Sequence, residues 1–191
     1  MKCKSILSIF FLVALSQLFA VETNPDRIKY GYYEDSKNGF SIDIPKEWVV
    51  LPNQTASLVM AAPQDRSTTK FRPSLNIIVD RITHKATLNE LFDINVKNAG
   101  AVLHQFRIVE ITDVKVDDVP AQRMVYTCKI FRNGMYLDVK NIVYCLVKDN
   151  IFYIITCSAL DEQYDKYYSL FMRLIGSVSI FYPTGKIGSS Y

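Results

Sequence analysis

The chain has 191 residues, of which 49% are hydrophobic and 13% aromatic, and its 22 basic and 19 acidic side chains give a formal net charge of +3. This apolar and aromatic content excludes an intrinsically disordered chain, and the length fits one ordinary domain with a sizeable core. So small a charge gives neither the basic footprint of a nucleic-acid-binding protein nor a polybasic attraction to anionic lipid. We therefore expect no nucleic-acid partner.

A targeting segment is predicted at the N-terminus. Lys2 and Lys4 precede an apolar run over residues 6–20, which is short for a membrane-spanning helix of about 20 apolar residues. No charged stop-transfer pattern follows, so residues 1–20 are typical of a cleavable secretory signal. Cleavage after Ala20 is expected and cleavage after Ser16 is the alternative, while an uncleaved N-terminal anchor is the competing interpretation.

Cleavage would leave one domain over residues 21–191, with an ordered core at about 28–181. Loss of the two lysines lowers the net charge of +3 by two, to +1. The predicted location is outside the cytoplasm, periplasmic or extracellular, with no stable membrane span after cleavage.

The first predicted element is a hairpin over residues 30–45. Asn38-Gly39 is the pair preferred in a type I′ turn, and Phe40, Ile42 and Ile44 then alternate with polar residues. Pro45 ends the strand because it cannot donate to a ladder, and Trp48 is expected to pack back onto the sheet.

Seven further strands and two helices are predicted after this hairpin. A helix over residues 87–99 has a Thr87–Glu90 capping box, and a second over residues 161–176 has Asp161 as its expected N-cap. Tight turns are predicted at Asn133-Gly134 and Asp149-Asn150, and a break at Val119-Pro120-Ala121. The remaining predicted strands are residues 57–63, 74–82, 106–118, 121–132, 135–148, 151–159 and 177–181. This order indicates an α+β domain with a mainly antiparallel sheet.

The predicted hairpins fix the positions of the three cysteines that follow the signal. Cys128 should lie opposite Val139, Cys145 opposite Ile154 and Cys157 opposite Ile142. Cys128 and Cys145 then share one face, about 20 Å apart, while Cys157 lies on the other. A disulfide needs Cα atoms within about 7 Å, so we expect three buried thiols and no intrachain disulfide.

The sequence contains no pattern that indicates catalysis, a metal or a cofactor. His84 and His104 are the only histidines, and neither has a partner at the spacing that zinc sites use. No nucleophile elbow, phosphate loop or dinucleotide fingerprint is present. The pair Asp117-Asp118 is interpreted as a solvated turn rather than a calcium site, which needs about six to eight oxygens. We expect a protein that is not an enzyme and that has no cofactor.

Two surface segments are candidates for binding a partner. Arg66, Lys70 and Arg72 surround Phe71, a composition found at binding hot spots, although a solvated hairpin loop is the simpler interpretation. The second candidate is the tyrosine-rich stretch Tyr30, Tyr32 and Tyr33, for which edge-strand packing is the alternative.

The order of motifs along the chain resembles the PsbP-like and DcrB-like domains. The opening motif is Gly39 to Ile42 with Pro45 and Trp48. Val119-Pro120-Ala121 with Arg123 and Tyr126 is similar to a second family element, although Asp118 stands where a glycine is common. Residues 153–159, before an aromatic-rich helix, resemble the C-terminal part.

This resemblance implies a three-layer α/β/α sandwich around a bent, mainly antiparallel sheet, a fold shared with a Ran-binding nuclear import factor. It also implies a non-catalytic accessory role, which does not follow from fold alone. The expected function is that of an exported envelope protein that acts through a protein partner. The alternative is an envelope protein that binds a small molecule or a lipid.

Overall fold

The computed structural model describes residues 21–64, 71–83 and 85–184. The predicted signal and the C-terminal residues 185–191 lie outside the described residues. The elements in chain order are β1 (Tyr30–Asp35), β2 (Phe40–Pro45), β3 (Val49–Val50), β4 (Leu58–Ala61), β5 (Ser74–Arg81), α1 (Leu88–Val102), β6 (His104–Val116), β7 (Val119–Arg132), β8 (Met135–Lys148), β9 (Ile151–Leu160), α2 (Asp161–Ile175) and β10 (Ser179–Ile180).

The strands form two antiparallel sheets. The larger has seven strands in the order β3-β4-β5-β9-β8-β7-β6, and the smaller has three in the order β1-β2-β10. The α+β class with a mainly antiparallel sheet is therefore confirmed. The predicted final strand is also confirmed, because β10 pairs with β2 and joins the C-terminal end of the fold to its first hairpin.

Three tight turns connect the four long strands β6 to β9. Asn133-Gly134 and Asp149-Asn150 have the positive φ angles of two-residue hairpin turns, as predicted. The third turn is Asp117-Asp118, where both φ angles are positive and Val116 pairs with Val119. The predicted break at Val119-Pro120-Ala121 is thus wrong. Pro120 is tolerated near the start of β7 because pairing with β8 begins only at Ala121.

The first hairpin has a different turn from the predicted one. Asp35 pairs with Phe40, so four residues form the loop, and of these only Gly39 has a positive φ, of 74°. Asn38 instead donates from its side chain to the Asp35 carboxylate at 2.7 Å and from its backbone N–H to the Asp35 carbonyl at 3.1 Å. The type I′ prediction is wrong because the Asn38 side chain and backbone stabilise a longer loop.

The two helices begin differently. Thr87 forms the predicted capping box with Glu90 at the start of α1. Asp161 does not cap α2, because it is already the first helical residue and Leu160, at the N-cap, makes no side-chain cap hydrogen bond. The prediction of Asp161 as N-cap is wrong by one position, and its carboxylate contributes only as a negative charge in the first turn.

A separate hydrophobic core lies on each face of the seven-stranded sheet. On one face, the buried stripe of α2, which includes Tyr164, Tyr167 and Phe171, packs with the small sheet and Trp48 against β7, β8 and β9. On the other face, Phe92 of α1 packs against the alternate residues of β7 to β9. The helices therefore form the two outer layers of the sandwich.

The cysteines lie where the hairpins place them. Cys128 is opposite Val139, Cys145 opposite Ile154 and Cys157 opposite Ile142. Cys128 and Cys145 belong to the α1-side core and Cys157 to the α2-side core, and all three are buried free thiols.

Candidate functional site

The predicted partner-binding loop is described only at its C-terminal end. Arg66 and Lys70 lie outside the described residues. Phe71 is half-buried against the α1-side core. Arg72 donates from Nε to the Ala62 carbonyl at 2.6 Å and from Nη2 to the Ala61 carbonyl at 3.3 Å, so its guanidinium holds the end of β4. The binding role of this loop stays a prediction.

Two of the three tyrosines of β1 are packed against the core, and one is exposed. The hydroxyl of Tyr30 donates to the Pro25 carbonyl at 3.1 Å, and that of Tyr33 donates to the Ser57 carbonyl at 3.3 Å. Both rings pack against the α2-side core. Tyr32 points outward and is 68% exposed. Edge-strand packing thus accounts for two of the three tyrosines.

A groove of about 270 Å³ lies between α2 and the open part of the large sheet. We call it the α2 groove. Its floor is formed by β6, β7 and β8, and one wall by the first two turns of α2. The lining residues are Val109, Glu110, Arg123, Val125, Lys140, Ile142, Tyr164, Asp165 and Tyr168.

The polar groups of the α2 groove are centred on Arg123. Its Nη2 is paired with the Glu110 carboxylate at 2.5 Å and lies 3.4 Å from the Thr112 hydroxyl. The hydrogen bonds from Thr112 and Arg123 hold the pKa of Glu110 below its ordinary value. Burial raises the pKa of Tyr144, next to Arg123, to about 12. This arrangement keeps a charged guanidinium at the base of the groove and a neutral phenol, that of Tyr144, next to it.

Two buried donors at this site have no acceptor within the described part of the chain. They are the Tyr164 hydroxyl and the Nε of Arg123. Tyr164 is 3% exposed, and the Lys140 ammonium stands 4.3 Å from the centre of its ring. Buried polar groups are nearly always hydrogen-bonded, so two orphan donors in one groove are unusual.

The end of the β7–β8 hairpin carries exposed aromatic side chains. Leu160, the last residue of β9, pairs with Val139, so the hairpin beyond Val139 projects past both β9 and the start of α2. There the Phe131 and Tyr136 ring centroids lie 5.2 Å apart, and those of His104 and Tyr136 lie 4.9 Å apart. We call these three residues the hairpin-end patch.

The hairpin-end patch is accessible on the α2 side of the sheet. Phe131 is 67% exposed and Tyr136 is 54% exposed. Strand alternation places both on the face that also carries Lys140, while Ile130 and Leu137 point to the α1-side core. The patch and the α2 groove therefore lie on one face of the sheet.

The remaining reactive groups are enclosed in the cores. Burial raises the pKa of all three thiols, that of Cys145 to about 12. His84 lies outside the described residues, and His104 belongs to the hairpin-end patch. Across residues 21–64, 71–83 and 85–184, no group of three or more His, Cys, Asp or Glu side chains is arranged to hold a metal ion. Within the same ranges, no helix has the length and apolarity needed to cross a membrane.

Few signals in the sequence indicate the α2 groove or the hairpin-end patch. Tyr164 was correctly predicted on the buried stripe of α2, but helical periodicity contains no information about its hydroxyl. Arg123 belongs to the element that begins at Val119-Pro120-Ala121, which does not indicate a groove. Phe131 and Tyr136 flank the predicted Asn133-Gly134 turn closely, so an exposed aromatic pair beside a hairpin turn was the available signal.

The chain belongs to the family of PsbP-like proteins, whose sequence profile matches residues 19–180. The predicted resemblance is thereby confirmed. No curated protein sequence is significantly similar to the chain.

Solved structures with the same fold come from distant organisms. Cyanobacterial PsbP (CyanoP) from Synechocystis sp. PCC 6803 is 16% identical, with a TM-score of 0.60 over 81% of this chain and 94% of that one. LpqN of Mycobacterium tuberculosis is 12% identical, with a TM-score of 0.59 over 82% and 92% of the two chains. The Ran-binding protein Mog1p of Saccharomyces cerevisiae is 10% identical, with a TM-score of 0.55 over 80% and 96%. At these identities the likeness shows the fold alone.

Proposed function

We propose that this protein is an exported, non-catalytic accessory protein of the cell envelope that binds a protein partner through the hairpin-end patch. The observation that supports this most directly is the exposure of Phe131 and Tyr136 on a hairpin that extends past β9 and the start of α2. Exposed aromatic groups with neighbouring arginines are typical of the centres of protein interfaces.

The charges around the patch favour a partner with an acidic rim. Arg132 directly follows Phe131 at the end of β7, and Arg107 lies opposite Thr127 on the neighbouring strand β6, and both are exposed. Lys129 is paired with Asp138 at 3.0 Å, so its charge is offset locally. A partner surface with an apolar pocket and peripheral carboxylates would therefore complement this end of the hairpin.

The named relatives are consistent with such a role. The LpqN structure is described as involved in cell envelope biogenesis, and Mog1p is described as a Ran-binding protein. Export of the present chain is proposed from the predicted signal at residues 1–20.

Site-specific photocrosslinking in intact cells tests the proposal. A photoreactive phenylalanine analogue is introduced at Phe131, and the matched control carries it at Tyr182, which is comparably exposed at 71% but follows β10 of the small sheet. We expect one recurrent envelope protein to be captured from position 131 only. Charge reversal by Arg132→Glu should reduce that capture, because it removes complementarity to an acidic rim.

The captured chain also reports on export. N-terminal sequencing should find the chain beginning near Val21, or after Ser16 if the alternative cleavage site is used. An intact N-terminus at Met1 would contradict cleavage. The same crosslinked products from positions 182 and 131, or none from position 131, would contradict the proposed binding surface.

A further inference from the structure

We propose that Asn133 is a site of spontaneous deamidation, whereas Asn38, in the same dipeptide, is protected by its surroundings. The chain contains two Asn-Gly pairs, Asn38-Gly39 and Asn133-Gly134. In such a pair the backbone nitrogen of the glycine can attack the side-chain amide carbon of the asparagine, because the glycine has no side chain to hinder the approach. The two pairs are equivalent in sequence, and the structure distinguishes them.

The reaction exchanges an amide for a carboxylate, with water as the co-reactant. The Gly134 N–H loses its proton to hydroxide, and the nitrogen forms a bond to Asn133 Cγ. The side-chain amide nitrogen takes up a proton from water and leaves as ammonia, which closes a succinimide ring over the two residues. Water then opens the ring at either carbonyl and gives aspartate or isoaspartate at position 133. Each product carries a negative charge that asparagine lacks.

The Asn133-Gly134 pair is open to this reaction. Both residues are exposed, and neither the Asn133 side chain nor the Gly134 N–H forms a hydrogen bond with another residue in the described part of the chain. A Cβ built on Gly134 would meet no atom within 4 Å, so the space beside the glycine is clear. The amide carbon can therefore turn toward the glycine nitrogen without losing an intramolecular contact.

This turn also lies where the sheet is only two strands wide. Pairing with β6 reaches along β7 only as far as Lys129, and pairing with β9 reaches along β8 only as far as Val139. The last three pairs of the hairpin, residues 130–132 with residues 135–137, form a two-stranded ribbon. Such a ribbon has little stability of its own, so local opening lets Asn133 rotate into the geometry of ring closure.

The Asn38-Gly39 pair is held by hydrogen bonds that the reaction has to break. The Asn38 Nδ2 donates to the Asp35 carboxylate at 2.7 Å and to the Ser57 hydroxyl at 3.2 Å. The Gly39 N–H, which must lose its proton before the attack, donates to the Asp35 carbonyl at 2.8 Å. Gly39 is buried, and a Cβ built on it would overlap the Phe181 carbonyl oxygen. This pair is therefore fixed in a loop without space for the ring.

The new charge would alter the hairpin-end patch. Asn133 follows Arg132 and lies between Phe131 and Tyr136 in the chain. A carboxylate at this position opposes the acidic partner rim inferred for the patch, and isoaspartate lengthens the backbone of the turn by routing it through Cβ. This effect on partner binding rests on the proposed function, whereas the modification itself does not.

Peptide mass spectrometry tests the modification in the protein recovered from expressing cells and incubated in mildly alkaline buffer. We expect Asn133 to be converted at least about tenfold faster than Asn38, because conversion of Asn38 requires three hydrogen bonds to break first. The products should include isoaspartate, which direct hydrolysis of the amide does not give. In the urea-unfolded chain the difference between the two pairs should disappear, because both lose their surroundings.

Two variants separate the chemistry from its consequence. In Gly134→Ala a Cβ hinders the attacking nitrogen without meeting another atom, so most of the conversion of Asn133 should be lost. Unchanged conversion would contradict attack by this nitrogen. Asn133→Asp introduces the product charge directly and should reduce photocrosslinking from Phe131, in the same direction as Arg132→Glu.

Three results would overturn the modification site. They are an unmodified Asn133 over a period that converts it in urea, equal or faster conversion of Asn38 in the folded protein, and the same difference between the pairs in urea. Unchanged capture with Asn133→Asp would contradict only the effect on binding. Absence of capture from the wild type would contradict the proposed function and this effect with it, while mass spectrometry alone decides the modification.

Discussion

At the scale of single residues, Gly39 joins the two sheets. Its φ of 74° requires a conformation that side chains with a Cβ rarely adopt, and an added Cβ would overlap the Phe181 carbonyl oxygen. Its own carbonyl accepts from the Phe181 N–H at 2.9 Å. The Tyr153 hydroxyl, from the large sheet, donates to the neighbouring Asn38 carbonyl at 2.9 Å. The first loop is therefore held by the C-terminal segment and by β9 of the large sheet.

The substitution Gly39→Ala should lower the free energy of unfolding by about 2–3 kcal/mol, since backbone strain of about 1–2 kcal/mol adds to the displacement of Phe181. The matched control is Gly134→Ala, where φ is 79° but an added Cβ meets nothing within 4 Å. This control should show the strain alone. Urea denaturation of both variants measures the difference, and equal losses would contradict the close packing at Gly39.

At the scale of elements, local sequence signals predict the long hairpins but not the contacts between segments that are far apart in the chain. The turns Asn133-Gly134 and Asp149-Asn150 set the register of β7, β8 and β9. Their residues accept positive φ, and a two-residue turn determines which residues of the flanking strands lie opposite each other. The split into two sheets could not be predicted, since it depends on β10 reaching β2 across most of the chain. The α2 groove was missed for the same reason, because β6, β7, β8 and α2 all contribute to it.

The two helix starts offer a direct test of local signals. Thr87→Ala should cost about 1 kcal/mol, because it removes the Oγ1 that accepts from the Glu90 N–H and donates to the Glu90 carboxylate at 2.9 Å. Asp161→Ala removes no cap hydrogen bond and should cost only the helix-dipole contribution of about 0.3–1 kcal/mol. Thermal unfolding compares them, and a larger loss for Asp161→Ala would contradict the observed cap geometry.

At the scale of the whole molecule, both cores contain ionisable groups that burial keeps neutral. Cys145 and Tyr126 are buried on the α1 side, and Cys157, Tyr144 and Tyr164 on the α2 side. Desolvation raises the pKa of each of these groups. The sequence predicted the burial of the thiols through strand register. It could not predict that the tyrosine hydroxyls of both β7 and β8 are buried, because their burial requires a helix packed on each face of the sheet.

Stability should therefore fall as the pH rises through the alkaline range. Burial raises the pKa of Cys145 from 9.0 to about 12, so between these values the unfolded chain has released a proton that the folded chain retains. Unfolding then becomes more favourable with increasing pH, and below pH 9.0 the group has little effect. At about pH 10 this one thiol should remove about 1.4 kcal/mol, with Cys157 adding a loss of the same sign. Urea denaturation at about pH 8 and about pH 10 measures the difference, and Cys145→Ala should reduce it. The same pH dependence in the variant and the wild type would contradict a contribution from this thiol.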